Sequence, residues 1–225
     1  EQMPTASFAQ GYGQTEASPI ITSLGPEFHI AGGEKLRSAG RAALGVEVLV
    51  LDANDEELPN GTVGEICARG ANVMLGYWGM ESVTAETLRN GWLHTGDIAF
   101  QDADGFITIH DRVKDMIISG GENVYPREIE EFLMTHTAVE AVQVTGVPDP
   151  KYGEEIIAWI SVKPGAELSE EAVKEFCRGQ IAHFKVPRYI RFGEDFPMTV
   201  TGKVQKFKMR EISIEELGLE EQATA

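Results

Sequence analysis

Short apolar runs broken by turn residues fill the middle of the chain. Residues 46–51 and 64–69 read as strands, joined by a turn-rich link over 52–61, with 72–77 as a third short extended piece. Residues 81–89 read as a short helix, and 97–100 and 106–109 flank Asp104-Gly105, a hairpin signal. This stretch predicts a small β-rich unit closed as a distorted barrel. Upstream, residues 25–44 are glycine-rich and irregular and read as a mobile connection. None of that segment follows a clear strand and opens a clear helix, as a phosphate loop should.

The pattern changes at Asp111-Arg-Val-Lys-Asp-Met-Ile-Ile-Ser-Gly-Gly-Glu-Asn-Val-Tyr-Pro126. Taken alone, this stretch is a strand–turn–helix joint with a solvated basic pair. Ser119-Gly120-Gly121 supplies a turn where φ is positive at little steric cost, and Pro126 suits a first helical position. Ile129, Phe132 and Leu133 then recur at helical spacing over residues 126–134. Strands are expected at 139–147 and 155–162, turning through Pro148-Asp149-Pro150. Ser169 is the expected N-cap of a helix that carries Val173, Phe176, Cys177 and Ile181 on one face. A strand at 186–192, a turn at Thr201-Gly202-Lys203, a helix at 206–213 and a fraying acidic tail from Glu215 complete the reading. The fold class is α+β: the small barrel-like unit, then a second α+β unit.

Composition narrows the chemistry. The chain has 225 residues, 42% hydrophobic, with 19 basic against 36 acidic side chains and a net charge of −17. That argues against bulk binding to nucleic acid or to an anionic membrane, both of which need a cationic face. A local basic cluster can still hold a small anion inside an acidic protein. Cys67 and Cys177 form no disulfide framework or zinc spacing, so a reducing, cytoplasmic setting is the default. No apolar run approaches the roughly 20 residues of a membrane-spanning helix. The chain starts at Glu1 without methionine, which suggests a piece of something longer.

Four groups of residues stand out. Tyr12 lies between Gly11 and Gly13, close to Thr15 and Glu16, so an aromatic ring, a hydroxyl and a carboxylate cluster on one loop. That set suits a nucleotide base, a phosphate and a divalent ion, although a packed surface tyrosine explains it equally well. Asp97 follows Thr95-Gly96, where a short carboxylate accepts two ribose hydroxyls or merely caps a turn. Arg112 is a planar fork for ribose or phosphate, or half of a local ion pair with its neighbouring aspartate. Lys203 belongs to a basic cluster with Lys185, Arg188, Arg191, Lys206, Lys208 and Arg210, opposed locally by Glu194 and Asp195 alone. Six of these read as a solvated face, and Lys203 differs by sitting on a tight turn.

Together these pieces resemble the adenylate-forming enzymes: acyl-CoA synthetases, luciferases and the adenylation domains of peptide synthetases. Five stretches match the family's motifs in order: Tyr12-Gly-Gln-Thr-Glu16, Gly64-Glu-Ile with Gly70 and Gly76-Tyr77, Thr95-Gly-Asp97, residues 111–121, and Pro197-Met-Thr-Val-Thr-Gly-Lys203. Gly-Gly-Glu-Asn-Val-Tyr-Pro126 and Ile181-Ala-His-Phe-Lys-Val-Pro187 look most like medium-chain fatty acyl-CoA synthetases.

The resemblance implies a two-step reaction, with ATP and a carboxylic acid giving an acyl-adenylate that CoA then attacks. It implies that residues 1–40 end a large N-terminal domain, 41–111 form the β-rich subdomain, and 112–225 form a mobile C-terminal lid hinged near 112–115 at Lys114. It implies Tyr12 and Gly13 at adenine, Thr15 at the α-phosphate, Glu16 on Mg²⁺, Asp97 and Arg112 on ribose, and Lys203 bridging carboxylate and phosphate. Ser119, Gly120 and Gly121 would pass the pantetheine arm of CoA. Many relatives carry a lysine where this chain has Ile118.

The family's phosphate loop belongs upstream of Tyr12, so the chain is expected to be a C-terminal part, inactive alone. The competing readings are an adenylation domain that feeds a carrier protein, and a non-catalytic nucleotide-binding module of the same fold. Acyl chain length and oligomeric state are not encoded in any of these motifs.

Overall fold

The computed structural model describes residues 6–220. It divides into two compact units, Glu1–Val113 and Lys114–Ala225. In the first, β1 (Gln10–Tyr12), β2 (Thr22–Leu24) and β3 (Arg41–Ala42) form a small antiparallel sheet in that order. The sequence-predicted strands follow as β4 (Val46–Leu51) and β5 (Gly64–Gly70), then α1 (Glu81–Thr87), β6 (Leu93–Gln101) and β7 (Ile107–Arg112). They pair antiparallel in the order β4-β5-β6-β7. Val48, Val50, Ile66, Ala68, Leu93, Ala99 and Ile107 bury one face of this sheet, together with Ala17 and Ile21 from the loop after β1.

The expected barrel does not close. β4 and β7 are the two edges of an open sheet and do not pair with each other. Small closed barrels use about eight strands, enough to enclose side chains; here four strands bury their apolar face against the Ala17–Ile21 segment instead. The expected extended piece at 72–77 also has no ladder partner among the described residues. It is a strap: the Asn72 amide donates to the carbonyls of Ala17 and Ile20 at 2.8 and 2.9 Å, and the Met74 N–H donates to the Glu16 carbonyl at 2.8 Å.

The glycine-rich segment before β4, read as a mobile connection, is tied down at several points. Lys35 pairs with Asp102 at 2.6 Å, and Ala39 and Gly40 exchange backbone bonds with Ile107, both at 2.8 Å. Gly40 has φ +92°, and a Cβ there would lie 1.9 Å from the Ser23 carbonyl oxygen. Gly40→Ala is therefore expected to destabilise the protein by about 2–4 kcal/mol. Chemical denaturation would measure it, and a loss below about 1 kcal/mol would contradict this packing.

The second unit begins with a hairpin. β8 (Ile117–Ser119) and β9 (Glu122–Val124) are joined by Gly120 and Gly121, at φ +61° and +88°. Two consecutive left-handed residues make the tight turn whose twist matches antiparallel strands. The sequence suggested a turn leading straight into a helix; β9 intervenes before α2 (Pro126–Leu133), which does open on proline. β10 (Val139–Asp149) and β11 (Gly153–Val162) are longer than expected and pair along their whole length. The sheet order is β10-β11-β8-β9, with β12 (Tyr189–Phe192) running parallel beside β11.

α3 (Glu170–Cys177) starts as predicted, with the Ser169 hydroxyl accepting the Ala172 N–H. α4 (Lys206–Leu217) is the last helix. Alternation along β10 and β11 splits the core. Val142, Val144, Ile156, Ala158 and Ile160 pack with Ile129 and Leu133 of α2 and Val173 and Cys177 of α3. Val147, Ile157 and Trp159 pack with Met209 of α4, and the Trp159 indole donates to Ser213 at 2.9 Å.

Burial on both faces explains why β11 reads as a continuous apolar run. α4 continues through Glu215 and Glu216 rather than fraying there, because Glu216 takes both arms of Arg191 at 2.7 and 2.9 Å. The tail beyond residue 220 lies outside the described residues. Among those residues no helix is long and apolar enough to cross a membrane.

Candidate functional site

Hairpin register builds the centre of the first unit. Asp97 on β6 is the direct cross-strand partner of Arg112 on β7. The Arg112 Nε lies 3.2 Å from Asp97 Oδ1, and the Tyr12 hydroxyl donates to Asp97 Oδ2 at 2.7 Å. Asp97 is buried, whereas the Arg112 side chain is 53% exposed. Burial, and then the Asp97 charge, push the Tyr12 hydroxyl well above its ordinary range, so it stays a donor to the carboxylate. Each carboxylate oxygen keeps acceptor capacity, and the guanidinium fork keeps free N–H groups. A fixed carboxylate beside an exposed planar fork is suited to neighbouring hydroxyls.

The loop after β1 carries the other expected residues of this unit. A Cβ on Gly13 would lie 1.7 Å from the Pro19 carbonyl oxygen, so the residue is dictated by how the loop folds back. Thr15 is exposed at the start of a single 3₁₀ turn, Thr15–Ala17, and Glu16 is half-buried. The Tyr77 hydroxyl donates to Glu16 Oε1 at 2.7 Å. That bond, and then burial, raise the Tyr77 hydroxyl above its usual value. Tyr77 thus orients Glu16 from the strap, a contact that sequence reasoning missed although Gly76-Tyr77 had been noticed as a motif.

Behind Asp97 lies a second group, to which sequence reading gave no role although Glu65 belongs to the Gly64-Glu-Ile motif. Glu65 Oε1 accepts the Gly96 N–H at 2.9 Å, and Glu65 Oε2 lies 2.8 Å from His94 Nδ1. Arg89 approaches Asp55 at 3.2 Å and Glu65 at 3.5 Å, and His94 Nε2 is 3.5 Å from Asp55. Glu65, Cys67 and His94 place three donor atoms within 4.8 Å of one another. Two features mark a hydrogen-bonded brace rather than a cation site: Arg89 already supplies the countercharge, and burial pushes the Cys67 thiol far up, away from thiolate.

In the second unit, Lys203 sits where a self-supporting turn over residues 199–203 closes. The Thr199 N–H donates to the Lys203 carbonyl at 2.8 Å, and the Lys203 N–H donates to the Thr199 hydroxyl at 3.1 Å. Five members of the basic cluster are neutralised by distant parts of the unit: Lys185 by Glu128, Arg188 by Asp149 and Glu155, Arg191 by Glu216, Lys206 by Glu130 and Arg210 by Glu154. Lys203 is exposed and has no carboxylate partner among the described residues. Ser119 and Gly120 line a cavity of about 510 Å³ with Tyr152, Lys174, His183 and Arg188. Lys114 is exposed on the 3₁₀ turn Val113–Asp115.

Known proteins carry the same two pieces. Residues 1–78 match the AMP-binding enzyme profile, and residues 128–203 match the AMP-binding enzyme C-terminal domain profile. The chain belongs to the AMP-binding, adenylate-forming enzyme family. Within that family it is 46% identical to YngI of Bacillus subtilis over 221 residues, 97% of this chain and 40% of that protein. It is also 46% identical over 210 residues to the mitochondrial medium-chain acyl-CoA ligase ACSF2 of Bos taurus, covering 92% of this chain and 34% of the ligase.

Among solved structures, the ATP-bound MatB of Rhodopseudomonas palustris superposes with a TM-score of 0.86 at 35% identity, covering 94% of this chain and 41% of that one. The amide bond synthetase McbA of Marinactinospora thermotolerans superposes at 0.82 and 38% identity, covering 92% and 43%. The chain therefore spans about two fifths or less of the curated relatives named here. The AMP-binding profile includes Tyr12, Thr15, Glu16 and Tyr77, and the C-terminal profile ends on Lys203. Asp97, Arg112, Lys114 and the Gly120-Gly121 hairpin fall between the two matches, where the longer relatives still align.

Proposed function

We propose that this chain supplies the ribose-binding end and the C-terminal lid of an ATP-dependent, AMP-forming fatty acid–CoA ligase. The observation that carries the reading is the Asp97–Arg112 pair, 3.2 Å apart across one hairpin, in a chain 46% identical to a medium-chain acyl-CoA ligase. Asp97 and Arg112 take the ribose hydroxyls, and the Tyr12 ring and the Gly13 backbone lie along adenine. Thr15 contacts the α-phosphate. Glu16, its carboxylate oriented by Tyr77, suits Mg²⁺, an ion that takes one or two protein carboxylates and completes its shell with phosphates and water. When bound, Mg²⁺ neutralises phosphate charge.

Lys203 is exposed, has no carboxylate partner among the described residues, and reaches the carboxylate and phosphate oxygens where negative charge develops in the first step. Ser119, Gly120 and Gly121 guide the pantetheine arm of CoA in the second. The lid turns near Lys114, and the division between Val113 and Lys114 supports that placement. Two free, buried cysteines favour a reducing compartment, and we place the ligase in the cytoplasm.

The test is a product assay on the ligase that contains this chain. With a medium-chain fatty acid and ATP it should release pyrophosphate, and CoA should then yield AMP and the acyl thioester. Adenylate formation followed by transfer to an amine or to a carrier protein, with none to CoA, would overturn the thiol assignment.

A further inference from the structure

We propose that Glu65 is a positioning residue that holds the Thr95-Gly96-Asp97 turn and so sets the pose in which Asp97 meets ribose. The inference rests on the ribose reading of Asp97 given above. It starts from a defect in the β5–β6 ladder. Glu65 lies opposite Ile98 and Cys67 lies opposite His94, so the single residue Ile66 faces Thr95, Gly96 and Asp97. A bulge of this kind leaves backbone groups without ladder partners and re-aims a side chain beside a site.

Local side chains take over those partnerships. The Thr95 hydroxyl donates to the Ile66 carbonyl at 2.8 Å and accepts the Asp97 N–H at 3.2 Å. The Gly96 N–H is left for Glu65 Oε1, at 2.9 Å. Glu65 is itself immobilised, because Oε2 is held by His94 at 2.8 Å and approached by Arg89 at 3.5 Å. A charged acceptor with one oxygen anchored and the other on the bulge is a stiff strut. Its length determines where the turn stands, and hence where the Asp97 carboxylate stands against Arg112 and Tyr12. Among the described residues the carboxylates of Glu65 and Asp97 share no hydrogen-bond partner, so the effect passes through the Gly96 backbone.

Positioning makes a different prediction from general support of the fold. The ligase containing this chain would be assayed with ATP and with 2′,3′-dideoxy-ATP, which lacks both hydroxyls that Asp97 would accept. The wild type should favour ATP. Glu65→Ala should lose roughly 10- to 100-fold in kcat/KM with ATP and little with the dideoxy nucleotide, because misplacing a binding group costs on that order. Glu65→Gln keeps an acceptor for the Gly96 N–H and should restore most of the preference. Should Glu65→Ala fail to fold, Glu65→Asp, one methylene shorter, is read by the same ratio and should narrow it.

An unchanged ATP preference in the folded variant overturns the proposal, as does an equal loss with both nucleotides. If wild type and Asp97→Ala show no preference between the two nucleotides, the ribose assignment itself has failed and Glu65 falls with it. That outcome is recognisable without any Glu65 variant.

Discussion

Asp97→Ala in the ligase containing this chain should lower kcat/KM for ATP by about 10²–10⁴-fold, through KM more than through kcat. The size follows from two hydrogen bonds between ribose hydroxyls and a charged acceptor, each worth roughly 1.5–3 kcal/mol. It follows also from the geometry left behind. Asp97 Oδ1 balances Arg112 and Oδ2 accepts Tyr12, so the substitution removes the countercharge of a half-exposed guanidinium and strands a half-buried hydroxyl at once.

The same stranding should cost the fold about 1–2 kcal/mol, and for that reason kinetics must be read beside a denaturation curve. Asp97→Asn separates the two effects. It preserves volume and a neutral acceptor, so it should fold more stably than Asp97→Ala while still binding ATP poorly, because the countercharge for Arg112 is gone. Steady-state kinetics with varied ATP checks both. A change below about threefold for Asp97→Ala, less than one hydrogen bond is worth, would remove the carboxylate from the nucleotide site.

Lys203→Ala should divide the two half-reactions. Adenylate formation, followed by pyrophosphate release, should fall by about 10²–10³-fold, the usual consequence of deleting one group aimed at developing charge. Thioester formation from supplied acyl-adenylate and CoA should change little, since the proposed role of Lys203 is confined to the first step. The structure makes this a clean substitution. The turn that presents Lys203 is closed by Thr199 through backbone and hydroxyl contacts, and no carboxylate among the described residues pairs with the amine. The variant should therefore unfold at the wild-type midpoint. Lys206→Ala is the informative contrast. Lys206 is bonded at 2.7 Å to Glu130, a carboxylate that also accepts the Val144 N–H, so its loss should be felt as stability. Equal loss of both half-reactions in Lys203→Ala would contradict its assignment to the first step.

Much of this was legible along the chain because it depends on neighbours in sequence. The Ser169 cap, the proline start of α2 and the two strands β4 and β5 follow from local preference and period. The Lys203 turn is equally local, since Thr199, Gly202 and Lys203 make it among themselves. What was misread depended on distant partners. The strand of Val46–Leu51 reads the same in a barrel or an open sheet; edge pairing distinguishes them, and that is a contact between remote segments. The basic cluster looked like a solvated face because its acidic partners, Glu128, Glu130, Asp149, Glu154 and Glu216, are up to 76 residues away. The strap over residues 72–77 looked extended because apolar content says nothing about whether a backbone pairs with a strand or with a loop such as that of Glu16.

By itself, then, the sequence determined the family, the order of the elements and the side-chain types available for nucleotide chemistry, because motif spacing and periodicity are properties of the chain as a line. Only the tertiary structure decided which of those side chains touch. Hairpin register placed Arg112 opposite Asp97, packing brought the Tyr12 hydroxyl to Asp97, and Glu65, quoted in a motif without a role, was brought to the Gly96 N–H. Such pairings arise when unsatisfied backbone and buried charge find partners across the fold, and the free energy that selects them exists only once the chain is packed.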